Sequence, residues 1–216
     1  MKKIVLIFLA ACAIVFNIHA QNIINGHEYV DLGLPSGTKW ATCNIGANAP
    51  HEYGDYYAWG ETTTKTSFTQ DNSHTYGEYI GRVISKATGN VKYRDISGNA
   101  KYDAARANWG SSWRMPTRDE IDELYEECIF RKSCKNGING YKVIGPNGNS
   151  IFLPAAGYHS KISCINAGDN GYYWSSSSSY DMYDNMTAIT LSFYHCSGSN
   201  GWRSRDLGFT IRPVSN

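Results

Sequence analysis

The 216-residue sequence has almost no excess charge of either sign. Lys and Arg number 20 and Asp and Glu 19, a formal net charge of +1, so the basic footprint of a nucleic-acid binder is missing. No C-x-x-C occurs, which removes the zinc-ribbon and thioredoxin-type readings. No G-x-S-x-G elbow, G-x-x-x-x-G-K-S/T loop or G-x-G-x-x-G turn is present, so the usual hydrolase, nucleotide and dinucleotide signatures are absent. His27-Glu28 and His51-Glu52 open like a zincin helix but lack a second histidine four residues on and read as surface residues. Beyond residue 20 no run is long and apolar enough to cross a bilayer.

The composition that remains is globular, with 42% hydrophobic and 18% charged residues. The length predicts one domain, or at most two. Gly (21) and Tyr (16) are abundant, with six Trp and seven Phe. Together with Ser and Asn this resembles recognition surfaces more than a metabolic enzyme core.

Residues 1–20 read as a secretory signal peptide: basic Lys2 and Lys3, the apolar run Ile4–Phe16, and small Ala20 before the cut. Leu9-Ala10-Ala11-Cys12 also matches a lipobox, but the apolar run continues past Cys12, where a lipoprotein normally turns polar. The expected mature chain, 21–216, is a single exported domain, secreted or at the cell surface. Removal of two lysines and no acid turns its net charge from +1 to −1. Five cysteines remain, Cys43, Cys128, Cys134, Cys164 and Cys196. Cys128–Cys134 and Cys164–Cys196 are possible pairs, and mostly reduced, buried thiols are the alternative.

Local patterns predict short strands, many turns and one clear helix. Residues 28–44 read as a hairpin around Pro35-Ser36-Gly37. Thr62–Asn99 reads as an irregular excursion with a strand around Tyr79–Val83, and Ala100–Trp109 as a short helix. Thr117 and Glu120 form a capping box, and Ile121, Leu124, Tyr125 and Cys128 mark one apolar face, so a helix is expected over 117–128. Tyr141–Ile144, Ser150–Leu153, Tyr172–Ser175 and Ala188–Tyr194 read as strands, and Gly208–Pro213 as a half-buried final strand. The serine run 175–179 reads as a strand end feeding a polar loop. Trp109, Trp113 and Trp174 are expected to anchor the core, as are the aromatics around Tyr57 and Trp59. Glu126-Glu127 reads as a hydrated helix face.

Several phrases together carry a resemblance. They include Tyr29-Val30-Asp31-Leu32-Gly33-Leu34-Pro35-Ser36-Gly37, Trp40-Ala41-Thr42-Cys43-Asn44-Ile45-Gly46-Ala47, Gly54-Asp55-Tyr56-Tyr57-Ala58-Trp59-Gly60-Glu61 and Trp113-Arg114-Met115-Pro116-Thr117. Ile151-Phe152-Leu153-Pro154-Ala155-Ala156-Gly157, Tyr173-Trp174-Ser175-Ser176 and Ile211-Arg212-Pro213-Val214 complete the set. In this order the set resembles the Fibrobacter succinogenes major paralogous domain family of secreted bacterial surface proteins, over most of residues 28–214. The resemblance implies an α+β, C-type lectin-like fold: antiparallel strands, paired N- and C-terminal strands, two helices and long loops. It also implies a distant relation to formylglycine-generating enzymes and to retroelement-diversified ligand-binding proteins. The former need two closely spaced late cysteines, whereas Cys164 and Cys196 lie far apart, which disfavours that activity. The calcium–sugar triplets of C-type lectins are absent. Oxygen ligands occur at Asp169, Asn170, Asp181, Asp184 and Asn185 without EF-hand spacing.

The segment before the last strand holds the variable contacts in the retroelement-diversified relatives. Here it carries Tyr180, Asp181, Tyr183, Asp184, Asn185, His195, Asn200, Trp202 and Arg203. Tyr and Trp offer rigid contact area, and Asn and Asp add adaptable hydrogen bonds; ordinary loop and core residues are the alternative reading. The expectation is a non-enzymatic binding module without cofactor or metal, whose partner is an extracellular protein or glycan and not nucleic acid. A structural or adhesive cell-surface subunit is the rival.

Overall fold

The structure, a computed structural model, describes residues 22–85, 92–179, 183–194 and 197–216, without the side chains of 194 and 197–200. The expected signal peptide, Cys12, Tyr180, Asp181, His195 and Cys196 lie outside the described residues. The strands in chain order are β1 (Ile23–Ile24), β2 (His27–Asp31), β3 (Lys39–Ala41), β4 (Arg82–Ser85), β5 (Lys92–Asp95), β6 (Ile129–Lys135) and β7 (Ile138–Ile144). They continue as β8 (Ser150–Pro154), β9 (Tyr158–Ser160), β10 (Ser163–Ile165), β11 (Gly171–Ser178), β12 (Thr187–Tyr194), β13 (Ser197–Ser204) and β14 (Val214–Ser215). Two helices, α1 (Ala104–Trp109) and α2 (Arg118–Glu127), stand between β5 and β6. The strands form antiparallel sheets in the orders β1-β2-β3-β14, β13-β12-β11-β5-β4, β6-β7-β8 and β10-β9. No described helix is long and apolar enough to cross a membrane.

The chain ends meet in one sheet. β14 pairs with β3 (Val214 opposite Trp40), and β3 pairs with β2. The β2–β3 hairpin turns where Pro35 presets φ and the Gly37 amide donates to the Leu34 carbonyl (2.9 Å).

Helix α2 forms where its local signals place it. The Glu120 amide donates to Thr117 Oγ1 (3.3 Å) and the Thr117 amide to Glu120 Oε2 (2.8 Å). Ile121 and Leu124 are buried while Glu126 and Glu127 face water. Each buried Leu or Ile stabilises by roughly 1.5–3 kcal/mol, and Leu124→Ala would cost about 2–5 kcal/mol. Glu120 does more than cap. Arg114 grips it with two nitrogens (2.7 and 2.5 Å), and Thr38 Oγ1 donates to it (2.9 Å). Burial alone would raise its pKa, but the hydrogen bonds and charge of Arg114 hold it below the usual carboxylate range. Helix α1 is capped by buried Asp103, which accepts from the Arg106 amide (3.0 Å).

The five-stranded sheet divides the core in two. On one face Tyr173, Leu191 and Phe193 pack with Ile121 and Leu124 of α2, Tyr141, Val143 and Leu153 of the three-stranded sheet, and Trp40 and Val214. On the other, Tyr172, Trp174 and Ala188 pack with Tyr57, Trp59, Phe209 and Ile211. Gly171 allows the Phe193 ring to lie against the start of β11, where a Cβ would come within 2.1 Å of it.

Several expectations change. The serine run is a strand end, as read, but it does not turn out into a polar loop within the run: Ser175–Ser178 complete β11 and are fully buried. Their hydroxyls are satisfied internally, Ser176 and Ser177 by Asp95 (3.0 and 2.9 Å) and Ser175 by the Ile189 carbonyl (2.8 Å). Second, Gly208–Pro213 is not a half-buried strand. Phe209–Arg212 is buried throughout, wedged between Tyr57 (antiparallel bridge to Phe209) and β11 (parallel bridge Tyr173–Thr210). Third, Cys128 and Cys134 do not pair. Cys128 ends α2 and Cys134 lies near the far end of β6, so at about 3.3 Å per residue their Cα atoms stand well beyond bridging distance; Cys43 and Cys164 are free thiols too. Fourth, the strand expected at Tyr79–Val83 is Arg82–Ser85, paired with β5. His27 is half-buried, its ring stacked on Trp109 at 3.6 Å, and Trp109 is half-buried rather than a central anchor.

Candidate functional site

The expected contact segment runs from the end of β11, through a loop, along the hairpin of β12 and β13. The loop at 183–187 is built around Asp184. Its carboxylate accepts from Ser179 Oγ (2.7 Å), Thr187 Oγ1 and the amides of Met186 (2.8 Å) and Thr187 (3.0 Å). Burial alone would raise its pKa, but these bonds, those of Thr187 and Ser179 foremost, hold it below the usual carboxylate range. Asn185 faces a second loop, donating through Nδ2 to the Gly77 carbonyl (2.6 Å) while its own carbonyl receives the Gly77 amide (2.9 Å). Asp184 and Asn185 therefore spend their polar atoms on shaping the loops.

Between the two loops sits Arg205, fully buried. Its Nε donates to the Thr187 carbonyl (3.1 Å), Nη1 to Glu78 (2.9 Å) and Nη2 to Asp184 (3.2 Å), and the guanidinium lies 4.2 Å over the Trp59 ring. Burial pushes its pKa down to about 10, which leaves it charged at neutral pH. One cation thus bridges three carbonyls from two loops remote in sequence, adding to the Ser179 and Ile80 amides that Thr187 and Glu78 already accept (3.3 and 3.1 Å).

What these loops present outward is apolar and aromatic. Tyr183 is 70% exposed, Met186 51% and Tyr79 54%. Tyr76 Oη reaches Met186 Sδ (3.5 Å), which ties the two loops at the surface as well. Tyr76, Tyr79 and Met186 join this surface without a sequence signal: the tyrosines lie in the weakly periodic stretch, and Met186 gains its exposure only from the turn at Asp184.

Trp202 and Arg203 do not converge. They are successive on β13, opposite Ile189 and Ala188, and so point to opposite faces. Trp202, 60% exposed, lies on the face shared with Ile189, while Arg203 sits 5.6 Å over the Tyr172 ring on the other. The backbone of Asn200 pairs with Leu191 in mid-strand; its side chain lies outside the described residues.

The groups with strongly shifted protonation are tied to structure. Burial raises the Tyr56, Tyr57 and Tyr173 hydroxyls; Tyr56 and Tyr173 donate to the carbonyls of Ala156 (2.5 Å) and Pro154 (2.6 Å). Arg212, also buried, donates to Asn44 Oδ1 (2.7 Å) and to the carbonyls of Ala41, Thr42 and Phe152. Among the described residues no three His, Cys, Asp or Glu side chains gather as a metal site would require. Comparisons of the chain with protein-family models, with curated proteins and with solved structures return no match.

Proposed function

We propose that the protein is an exported, non-enzymatic ligand-binding module with a C-type lectin-like fold. It recognises an extracellular protein or glycan through the face built by the loops at 75–80 and 183–187. The observation that carries this reading is Tyr79, Tyr183 and Met186 held in water by loops that Arg205 and Asp184 lock from beneath. Exposed apolar side chains on a pre-ordered frame lose little entropy on binding and gain from desolvation. The joined chain ends, the two adjacent helices and the loop-rich remainder support the lectin-like assignment. So does the burial of Trp40, Trp59, Trp113 and Trp174, which all stand in the phrases that carry the family resemblance.

A panel of immobilised glycans and extracellular proteins, probed with residues 21–216, tests this. Retention by a monomer that disappears in Tyr79→Ser/Tyr183→Ser/Met186→Ser, with an unchanged melting temperature, is the expected result. Equal retention by the variant refutes it.

A structural or adhesive subunit is the second reading, favoured by β13. This eight-residue edge strand has β12 as its one sheet neighbour among the described residues and carries the exposed Trp202. Open edges of this kind pair with other strands. Light scattering that shows mass rising with concentration, and Trp202→Lys returning it to the monomer, would favour this reading.

A further inference from the structure

A cleft of about 600 Å³ opens between the far end of the β6–β7 hairpin and the loop at 166–170, within the ~300–1,000 Å³ range of small-molecule sites. It stands away from the aromatic loops. Asn170, on its wall, precedes β11, whereas Ser179, which holds Asp184, follows it. The strand between them is roughly 25 Å long at about 3.3 Å per residue.

The backbone of the loop wall is fixed from several directions. The Asp169 and Asn170 amides donate to the Asn166 carbonyl (3.2 and 3.0 Å), Gly168 N to Ala155 O (2.7 Å) and Gly157 N to Asn170 O (2.7 Å). Asn139 Nδ2 from β7 donates to the Gly168 carbonyl (3.1 Å), which joins the two walls. The side chains are the reverse. Lys132 on one wall, and Asn166 and Asp169 on the other, have no hydrogen-bond or ion-pair partner among the described residues. Lys132 and Asp169 line one cleft without closing an ion pair, so a gap separates two opposite charges. The half-buried Tyr53 lies on the Asp169 side; its hydroxyl pKa is raised by burial and by Cys164 and Asp169.

We infer that this cleft is a binding site for a short neutral oligosaccharide, which bridges Lys132 and Asn166–Asp169 through its hydroxyls. The chemistry selects this class. A cation and a carboxylate in one cleft offset each other for a purely anionic or purely cationic ligand. A hydroxyl both donates and accepts, and so satisfies Lys132, Asp169 and the two-sided Asn166 amide. A lone carboxylate is too little for a calcium site, and the polar walls do not suit an apolar ligand. The fixed backbone holds the roots of these side chains in place before a ligand arrives.

Calorimetric titration of the purified protein with cellotriose, maltotriose, mannotriose and xylotriose tests the assignment, with trigalacturonate and triserine as acidic-sugar and peptide arms. Saturable binding of at least one neutral trisaccharide is expected. It should weaken tenfold or more in Asp169→Ala, in Lys132→Ala and in Asn166→Gly (Gly keeps the positive φ of Asn166). It should be unchanged in Tyr183→Ser/Met186→Ser, which separates this site from the aromatic face. The inference is overturned by neutral-sugar binding that survives all three cleft variants, by binding of trigalacturonate or triserine alone, or by no saturable binding at all.

Discussion

Replacing Arg205 by Lys isolates the contact on which the exposed loops depend. The guanidinium satisfies the carbonyls of Thr187, Glu78 and Asp184 at 2.9–3.2 Å and stacks on Trp59. An ammonium is a compact point charge and can reach one of these carbonyls well, so two charge-assisted hydrogen bonds are lost. Each is worth about 1.5–3 kcal/mol, and part is recovered because Thr187 and Glu78 keep the Ser179 and Ile80 amides as donors (3.3 and 3.1 Å). A net loss of about 3 kcal/mol follows, or roughly 6–12 °C in melting temperature for a domain of this size. The damage should also be local. Amide exchange should accelerate at 75–80 and 184–187 while β6–β8 keep their protection. Thermal melts and exchange mass spectrometry read both. A melting temperature within about 2 °C of the parent, with unchanged exchange in those loops, would show that Arg205 does not hold the face together.

Glu120→Gln should cost about 2–4 kcal/mol in urea unfolding, because it leaves Arg114 without its carboxylate, although Gln can still accept the Thr117 amide in the capping box. Glu120 has a depressed folded-state pKa, so its stabilisation is complete above the unfolded value near 4.5 and fades as pH falls through the folded one. The parent should lose stability below about pH 4.5, and the variant should lose less over that window. Asp184→Asn should lower stability by about 1–2 kcal/mol through the lost hydroxyl and amide bonds, visible as a lower urea midpoint with an unchanged slope. Iodoacetamide at about pH 8 should label exposed Cys134 and Cys164 in the folded protein and spare Cys128, whose burial raises its pKa to about 11; peptide mass spectrometry distinguishes them. Leu124→Ala should lower the melting temperature by more than either polar substitution, since it opens a cavity where α2 meets the central sheet.

Some of this protein is legible in the order of its residues alone. Helix α2 is determined within residues 117–128, because the Thr117–Glu120 cap and the Ile121–Cys128 stripe are contacts between near neighbours in the chain. The β2–β3 hairpin is likewise set by the Pro35–Gly37 turn, and the two-helix, mostly antiparallel character follows from short alternating runs. Other features depend on distant partners. Ser175–Ser178 reads as a strand end about to turn polar and leave the sheet, yet it is core, because Asp95 and Ile189 O arrive from elsewhere to satisfy the hydroxyls. Gly208–Pro213 alternates like a half-exposed strand, yet it is sealed on both sides by Tyr57 and β11. Asp184 and Tyr183 are adjacent and both suit a binding loop. Only the fold commits the carboxylate to Ser179 and Thr187 and leaves the ring in water. Local periodicity and capping act over one or two turns of chain, so they show in the bare succession of side chains. Burial of a polar group depends on which remote segment brings its partner, and that is decided in three dimensions.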